Sequence, residues 1–311
     1  MAENDRLRPQ LKVRAGPDGI HLFDRKSGLN LLLDEANIPV ELWSAAPRQI
    51  SVALTNACDL HCPYCYAPKL TANLDSERLV AWLGELDTNG CLGVGFGGGE
   101  PTLRRDLPEL CRYAAEHTGL AVTFTTHGHR LDDRLAADLR GNVHFIRVSM
   151  DGVSATYETL RGTSFSSLRR RFDTVRELAP FGINFVVNSL TLPDLDAAVA
   201  LGAEVGASEF LLLPEQPVRG RGGIDNSTVQ ALRNWVNSYQ GTIPLSVSTV
   251  GAGGLPICNP LTGETGLRAY AHIDALGVLK RSSYDEAGIF IGAGGMMQAL
   301  KALDLTLGSE R

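Results

Sequence analysis

The 311-residue sequence has no excess of positive charge: 29 lysines and arginines stand against 35 aspartates and glutamates, a formal net charge of −6. A general binder of nucleic acid or of an anionic membrane surface needs a positive face, so this balance argues against both. No apolar run approaches bilayer length, and the start, MAENDRLRPQ, has no apolar stretch of the kind that directs secretion. The expectation is a cytoplasmic protein with neither a nucleic-acid nor a membrane partner. Cysteine is also too scarce for a disulfide framework, at six in a chain long enough to bury a core without metal or disulfide support.

The cysteines that are present are crowded. Cys58, Cys62 and Cys65 share one short stretch, TNACDLHCPYCYAPK. In a large chain of this kind such clustering reads as metal or redox chemistry rather than cross-linking. The other three are scattered. Cys91, heading an apolar run, and Cys111, in helix-like sequence, read as small buried apolar residues. Cys258 sits between Pro256 and Pro260 in LPICNPLTG.

Residues 1–48 read as short strands separated by the turn signals Pro17-Asp18-Gly19 and Ser27-Gly28, a small N-terminal β cap. From Ile50 the pattern becomes strand, loop, helix, repeated. Apolar strands are expected at 50–55, 92–96, 121–126, 143–150, 183–190 and 209–214. Helices are expected near 75–88, 105–117, 131–139, through about 179, and near 194–205. Such alternation implies an α/β fold of parallel βαβ units, either a doubly wound sheet or an incomplete barrel. In both, function sits on the loops at the C-terminal ends of the strands. The rest, 226–311, reads as an amphipathic helix (VQALRNWVNSY), a strand at 243–250, a Gly-rich segment, a hairpin (AYAHIDALGVLKRSS) and a last helix around 295–304. The division is a cap at 1–48, a core at 49–225 and a short α+β C-terminal extension at 226–311.

The three cysteines directly follow the first core strand as Cys-x3-Cys-x2-Cys. Three thiolates from one compact loop can take three corners of a four-iron cluster and leave the fourth iron open, the mark of a catalytic rather than a structural metal. A zinc module is the alternative, with His61 as the nearest fourth ligand, and a plain electron-carrying iron–sulfur module is another.

With Tyr64 before the last cysteine, the motif resembles that of the radical S-adenosylmethionine enzymes over roughly residues 50–215. The resemblance implies a partial (β/α)6 TIM-like barrel, one [4Fe-4S] cluster on Cys58, Cys62 and Cys65, and S-adenosylmethionine as second cofactor, with Tyr64 beside its adenine. Gly98-Gly99-Glu100, after the second strand, is similar to the family's Gly-Gly-Glu motif, which binds the methionine amino group. Ser149-Met150-Asp151-Gly152, after the fourth strand, is similar to its Ser-x-Asp-Gly, which implies cofactor contacts from Ser149 and Asp151. Arg161 and Asn188 are further candidate contacts, the latter for the ribose. His127 stands where the family often has asparagine in a Thr-Asn-Gly turn.

Arg219 and Arg221, on the loop after the sixth strand, could bind a carboxylate or phosphate. The C-terminal segment is similar in outline to the extension called SPASM or twitch, but Ser282 and Ser283 stand where a further cysteine is expected. The remaining cysteines are too few for a second cluster, so one cluster is expected. Cys258 is then a candidate hydrogen-atom donor, with Tyr284 a weaker one.

The implied reaction is reductive cleavage of S-adenosylmethionine by a one-electron donor of the flavodoxin or ferredoxin type, giving a 5′-deoxyadenosyl radical that abstracts hydrogen from the substrate. The leading expectation for that substrate is a ribosomal peptide undergoing cross-linking or epimerisation. A small metabolite in cofactor or natural-product biosynthesis is the alternative.

Overall fold

The computed structural model describes residues 11–308 apart from Arg219 and Arg221, so the reading of those two arginines lies outside the described residues. Three antiparallel strands come first: β1 (Lys12–Gly16), β2 (Gly19–Asp24) and β3 (Leu29–Leu33), in the order β1-β2-β3. The Pro17-Asp18-Gly19 signal forms the first turn, with Gly19 at φ 108.

Six parallel strands follow: β4 (Gln49–Thr55), β5 (Gly93–Gly98), β6 (Ala121–Thr126), β7 (Phe145–Ser149), β8 (Phe181–Val187) and β9 (Glu209–Pro214), neighbours in sequence order. Helices return the chain between them: α1 (Ser76–Thr88), α2 (Leu107–His117), α3 (Asp133–Leu139), then α4 (Ser154–Arg161) and α5 (Phe165–Leu178), and α6 (Leu195–Glu204). α7 (Asn226–Ser238) follows β9. Each crossover has a strong start signal where the sequence supplies one: Asp75, Asp132, Ser164 and Asp225 accept from main-chain N–H groups in the first turns of α1, α3, α5 and α7. This is the parallel α/β architecture expected of a partial (β/α)6 barrel.

The C-terminal segment joins the same sheet. β10 (Leu245–Val247) pairs with β9, while β11 (Tyr270–Ile273) lies parallel to β4 on the other side, followed by antiparallel β12 (Val278–Lys280) and β13 (Ile289–Phe290). The last helix, α8 (Gly295–Gly308), packs on α1. One apolar core runs from Ala46 to Leu303, between the sheet and its helices.

Strand alternation divides the sheet into two faces. Val94, Phe96, Val122, Phe124, Ile146, Val148, Ile183 and Phe185 face the helices and are fully buried. The intervening residues face the lumen, and most are partly exposed: Ser51, Gly95, Gly97, Thr123, Thr125, Arg147, Ser149, Asn184 and Val186. The lumen is therefore open rather than packed. β5, GVGFGG, presents only Gly93, Gly95 and Gly97 to it.

The N-terminal sheet sits at the foot of the barrel, where the strands begin. Arg14, buried, pairs with Glu264 and donates to the carbonyls of Ala46, Gly90 and Arg268. Arg25 donates to the carbonyls of Ala115, Thr118 and Leu120.

Candidate active site at the barrel mouth

The loop after β4 carries Cys58, Cys62 and Cys65, all free and partly buried. The Cys65 main-chain N–H donates to the Cys62 carbonyl at 3.2 Å, a turn that keeps these two close along the loop. Burial pushes the Cys58 and Cys62 thiols above their ordinary value. Donors already address two sulfurs: the Leu60 N–H points at Cys58 Sγ at 3.4 Å and the Arg161 guanidinium at Cys62 Sγ at 3.6 Å.

The glycines after β5 mount this loop. A Cβ at Gly98, whose φ is +123, would collide with the Thr55 carbonyl, and one at Gly99 would collide with the Ala57 carbonyl. The bare backbone allows Gly99 N to donate to Thr55 O at 2.6 Å and Glu100 N to Ala57 O at 2.8 Å. The close approach these glycines permit is thus to the start of the cysteine loop.

Glu100 is buried at 1% exposure and its carboxylate is held from several sides. Oε1 accepts from the Thr102 and Thr126 hydroxyls at 2.6 and 2.7 Å and from Thr102 N at 3.1 Å. Oε2 accepts from His127 N at 2.9 Å. His127, also buried, reaches Asp59 Oδ1 at 2.8 Å through Nε2. Partial burial would raise the Asp59 carboxyl, but the hydrogen bond from His127, with Arg130, holds it below its ordinary value.

A second junction forms on the far side of the loop. Asp151, fully buried after β7, accepts from the Tyr64 hydroxyl at 2.6 Å and from Arg161 on Oδ2, and from Val186 N at 2.6 Å on Oδ1. Burial would lower the Arg161 guanidinium, yet Asp151 leaves it raised. Burial, with Asp151, raises the Tyr64 phenol. Ser149, at the end of β7, is a partly exposed lumen-facing residue.

Asn188 follows β8 rather than ending it. Its side-chain Oδ1 accepts from Leu190 N and Thr191 N, and its side-chain Nδ2 donates to Glu215 Oε2 at 2.7 Å. Glu215, just after β9, was not singled out by the sequence, though its place at the end of a barrel strand marked it for attention. Cys258 is exposed on the loop between β10 and β11, whereas the Tyr284 ring lies 5.1 Å from that of Tyr66, the neighbour of Cys65, tilted at 57° to it. Cys91 and Cys111 are fully buried in the core.

A parallel barrel whose mouth brings a three-thiol loop against a Gly-Gly-Glu turn defines a metallo-cofactor type of site. Residues 52–198 match the family model of the radical SAM superfamily. Two curated relatives share the region: the PqqA peptide cyclase of Rhodopseudomonas palustris, 33% identical over 51% of this chain and 45% of its own, and the Fe-coproporphyrin III synthase of Methanosarcina barkeri, 30% identical over 51% of this chain and 39% of its own. The match thus spans under half the length of either relative. The fold is similar to that of Streptococcus suis SuiB bound to the precursor peptide SuiA, with TM-score 0.73 and 13% identity over 94% of this chain and 87% of that one.

Proposed function

We propose that this chain is a radical S-adenosylmethionine enzyme that acts on a ribosomally made peptide. The observation that carries the enzyme class is the convergence of the Cys58, Cys62 and Cys65 loop with Glu100 and with the Asp151–Arg161 pair at the C-terminal ends of the strands. The donor set suits a four-iron cluster: three soft thiols on one loop, with a main-chain N–H and a guanidinium already directed at two sulfurs. Cys58, Cys62 and Cys65 would hold the cluster, and with three protein ligands a site for S-adenosylmethionine would remain. Bound there and served by a flavodoxin- or ferredoxin-type donor, such a cluster would supply one-electron reducing chemistry toward S-adenosylmethionine.

The chain's own residues bind and orient. Glu100 is the carboxylate for the cofactor's ammonium group, oriented by the donors around it. Arg161 provides the matching cation for its carboxylate, and Asp151 fixes both Arg161 and Tyr64. Asn188, braced by Glu215, faces the same mouth. In this reading residues 1–48, 49–225 and 226–311 divide the work as peptide-holding cap, catalytic barrel and flanking extension with no second cluster.

The peptide reading rests on β3. Among the described residues its outer edge has no strand partner, and Leu29, Leu31 and Leu33 are exposed on it. An extended peptide can add to such an edge through main-chain hydrogen bonds, with the exposed leucines as apolar contacts for its alternate side chains. The similarity to the PqqA peptide cyclase supports the same substrate class. The similarity to Fe-coproporphyrin III synthase favours a small-molecule substrate as the second reading.

Anaerobic reconstitution with iron, sulfide, dithionite and S-adenosylmethionine tests the class. Wild type is expected to give 5′-deoxyadenosine, and Cys62→Ala none; undiminished production by Cys62→Ala would refute it. Leu31→Asp is expected to weaken binding of a precursor peptide while leaving peptide-independent cofactor cleavage unchanged. Stimulation of cleavage by a tetrapyrrole and not by peptide would favour the second reading.

A further inference from the structure

The His127 ring lies between two carboxylates that belong to different loops. Nδ1 accepts the His129 main-chain N–H at 3.1 Å, which places the ring proton on Nε2. Nε2 donates to Asp59 Oδ1 at 2.8 Å and lies 3.4 Å from Glu100 Oε2, while the His127 main-chain N–H donates to that same Glu100 oxygen at 2.9 Å. Asp59 is the residue after Cys58, and Cys58 Sγ, an Asp59 carboxylate oxygen and a His127 ring nitrogen all lie within 4.8 Å of one another. One buried ring therefore meets the cysteine loop, the Gly-Gly-Glu turn and its own turn after β6.

From this geometry we propose that His127 is a positioning residue that locks the Cys58 end of the cysteine loop to the Glu100 carboxylate. The proposal rests on the radical S-adenosylmethionine reading for its consequence, but the lock itself is a property of the protein without any cofactor. Asp59 is 39% exposed at its side chain and is held there by His127 and, at 3.1 Å, by Arg130. Arg130 is itself half-exposed, so the buried His127 contact is the one that resists solvent competition. Loss of the ring removes the only buried tether in this network between Asp59 and Glu100. It leaves the Ala57–Glu100 main-chain bond to hold the loop at its base. Cys58, one residue beyond Ala57, then gains freedom that Cys91 and Cys111 in the core do not.

The test reads Cys58 in the metal-free protein by alkylation and mass spectrometry, in wild type, His127→Ala, His127→Gln and Asp59→Ala. A Gln amide can replace the Nε2 donor. Loss of a charge-assisted hydrogen bond should speed alkylation of Cys58 about tenfold in His127→Ala and Asp59→Ala, with His127→Gln near wild type. Cys91 and Cys111 should stay protected. An unchanged Cys58 rate in His127→Ala, or Cys91 and Cys111 becoming reactive in step with Cys58, would overturn the lock. If His127→Ala does not fold, Asp59→Ala against Asp59→Asn decides by the same readout, since both lose the charge beside Cys58 and only Asn keeps an oxygen for His127 Nε2. In reconstituted protein, His127→Ala should also bind S-adenosylmethionine about tenfold more weakly, with recovery in His127→Gln; equal affinity in wild type and His127→Ala would overturn the link to Glu100. Failure of wild type to take up iron or cofactor would instead refute the functional reading, and the alkylation result would stand.

Discussion

At the scale of single residues, the mouth divides into features that local sequence displays and contacts that it hides. Cys58, Cys62, Cys65 and the Gly98-Gly99-Glu100 turn were legible because their meaning lies in spacing along a few residues. The Tyr64–Asp151–Arg161 junction was legible only as separate candidates, since Tyr64 and Asp151 are 87 positions apart and meet through folding alone. The glycines carry a sharp prediction. Gly99→Ala drives a Cβ into the Ala57 carbonyl, a main-chain obstacle that cannot swing aside, and should cost about 1–3 kcal/mol. Gly97→Ala meets nothing within 4 Å and should unfold at the wild-type temperature. Thermal unfolding of the metal-free protein compares the two. Asp151→Ala leaves the buried Arg161 without its carboxylate and should lose about 3–5 kcal/mol in urea unfolding, whereas a change at an exposed pair such as Arg169 and Glu204 should lose almost none.

At the scale of elements, the alternating pattern placed all six barrel strands and the helices between them, because each strand offers one apolar face to the helices. The misjudged boundaries have local causes. The expected single helical stretch to about residue 179 is two helices, since Gly162 ends α4 in the left-handed region at φ 67 and Ser164 starts α5 afresh. The strand expected at 243–250 is only Leu245–Val247, because it is an edge strand paired to β9 alone and the chain turns into a short 3₁₀ helix at Thr249. β13, two residues long, had no pattern to display. That β11 adds to the barrel sheet beside β4 was hidden because about 215 residues of chain separate the partners. The helix starts were legible, and Asp75 tests one: it accepts from Arg78 N at 2.8 Å, so Asp75→Ala should lower stability by about 1 kcal/mol and Asp75→Asn by much less, measured by urea unfolding.

At the scale of the whole molecule, the response to acid follows from histidines buried in different places. Burial lowers His144, His272 and His129 to about 4 from 6.5. Each is neutral in the folded chain between about pH 4 and 6.5, where the unfolded chain takes up a proton. The unfolded state therefore binds more protons in that window, and stability rises with pH through it. Full stability is expected above pH 6.5, with progressive loss as pH falls toward 4. Asp106, held at about 2 by Arg104, adds a further loss below its ordinary 3.8. Urea midpoints across pH 4–7.5 check the slope, and His272→Gln should flatten it.

The glycine-only face of β5 has a consequence for recognition. A wall without side chains offers a guest main-chain contact but no chemical contrast, so it admits many shapes and distinguishes none. Discrimination inside the barrel must come from the strands that do project side chains, above all β7 with Phe145 and Arg147, β8 with Asn184, and β9 with Glu209, where Arg147 and Glu209 are already paired at 2.5 Å. The lumen-facing wall is thus divided between a strand that offers only main chain and strands that offer side chains, and a change of guest would call for rewriting only the second kind.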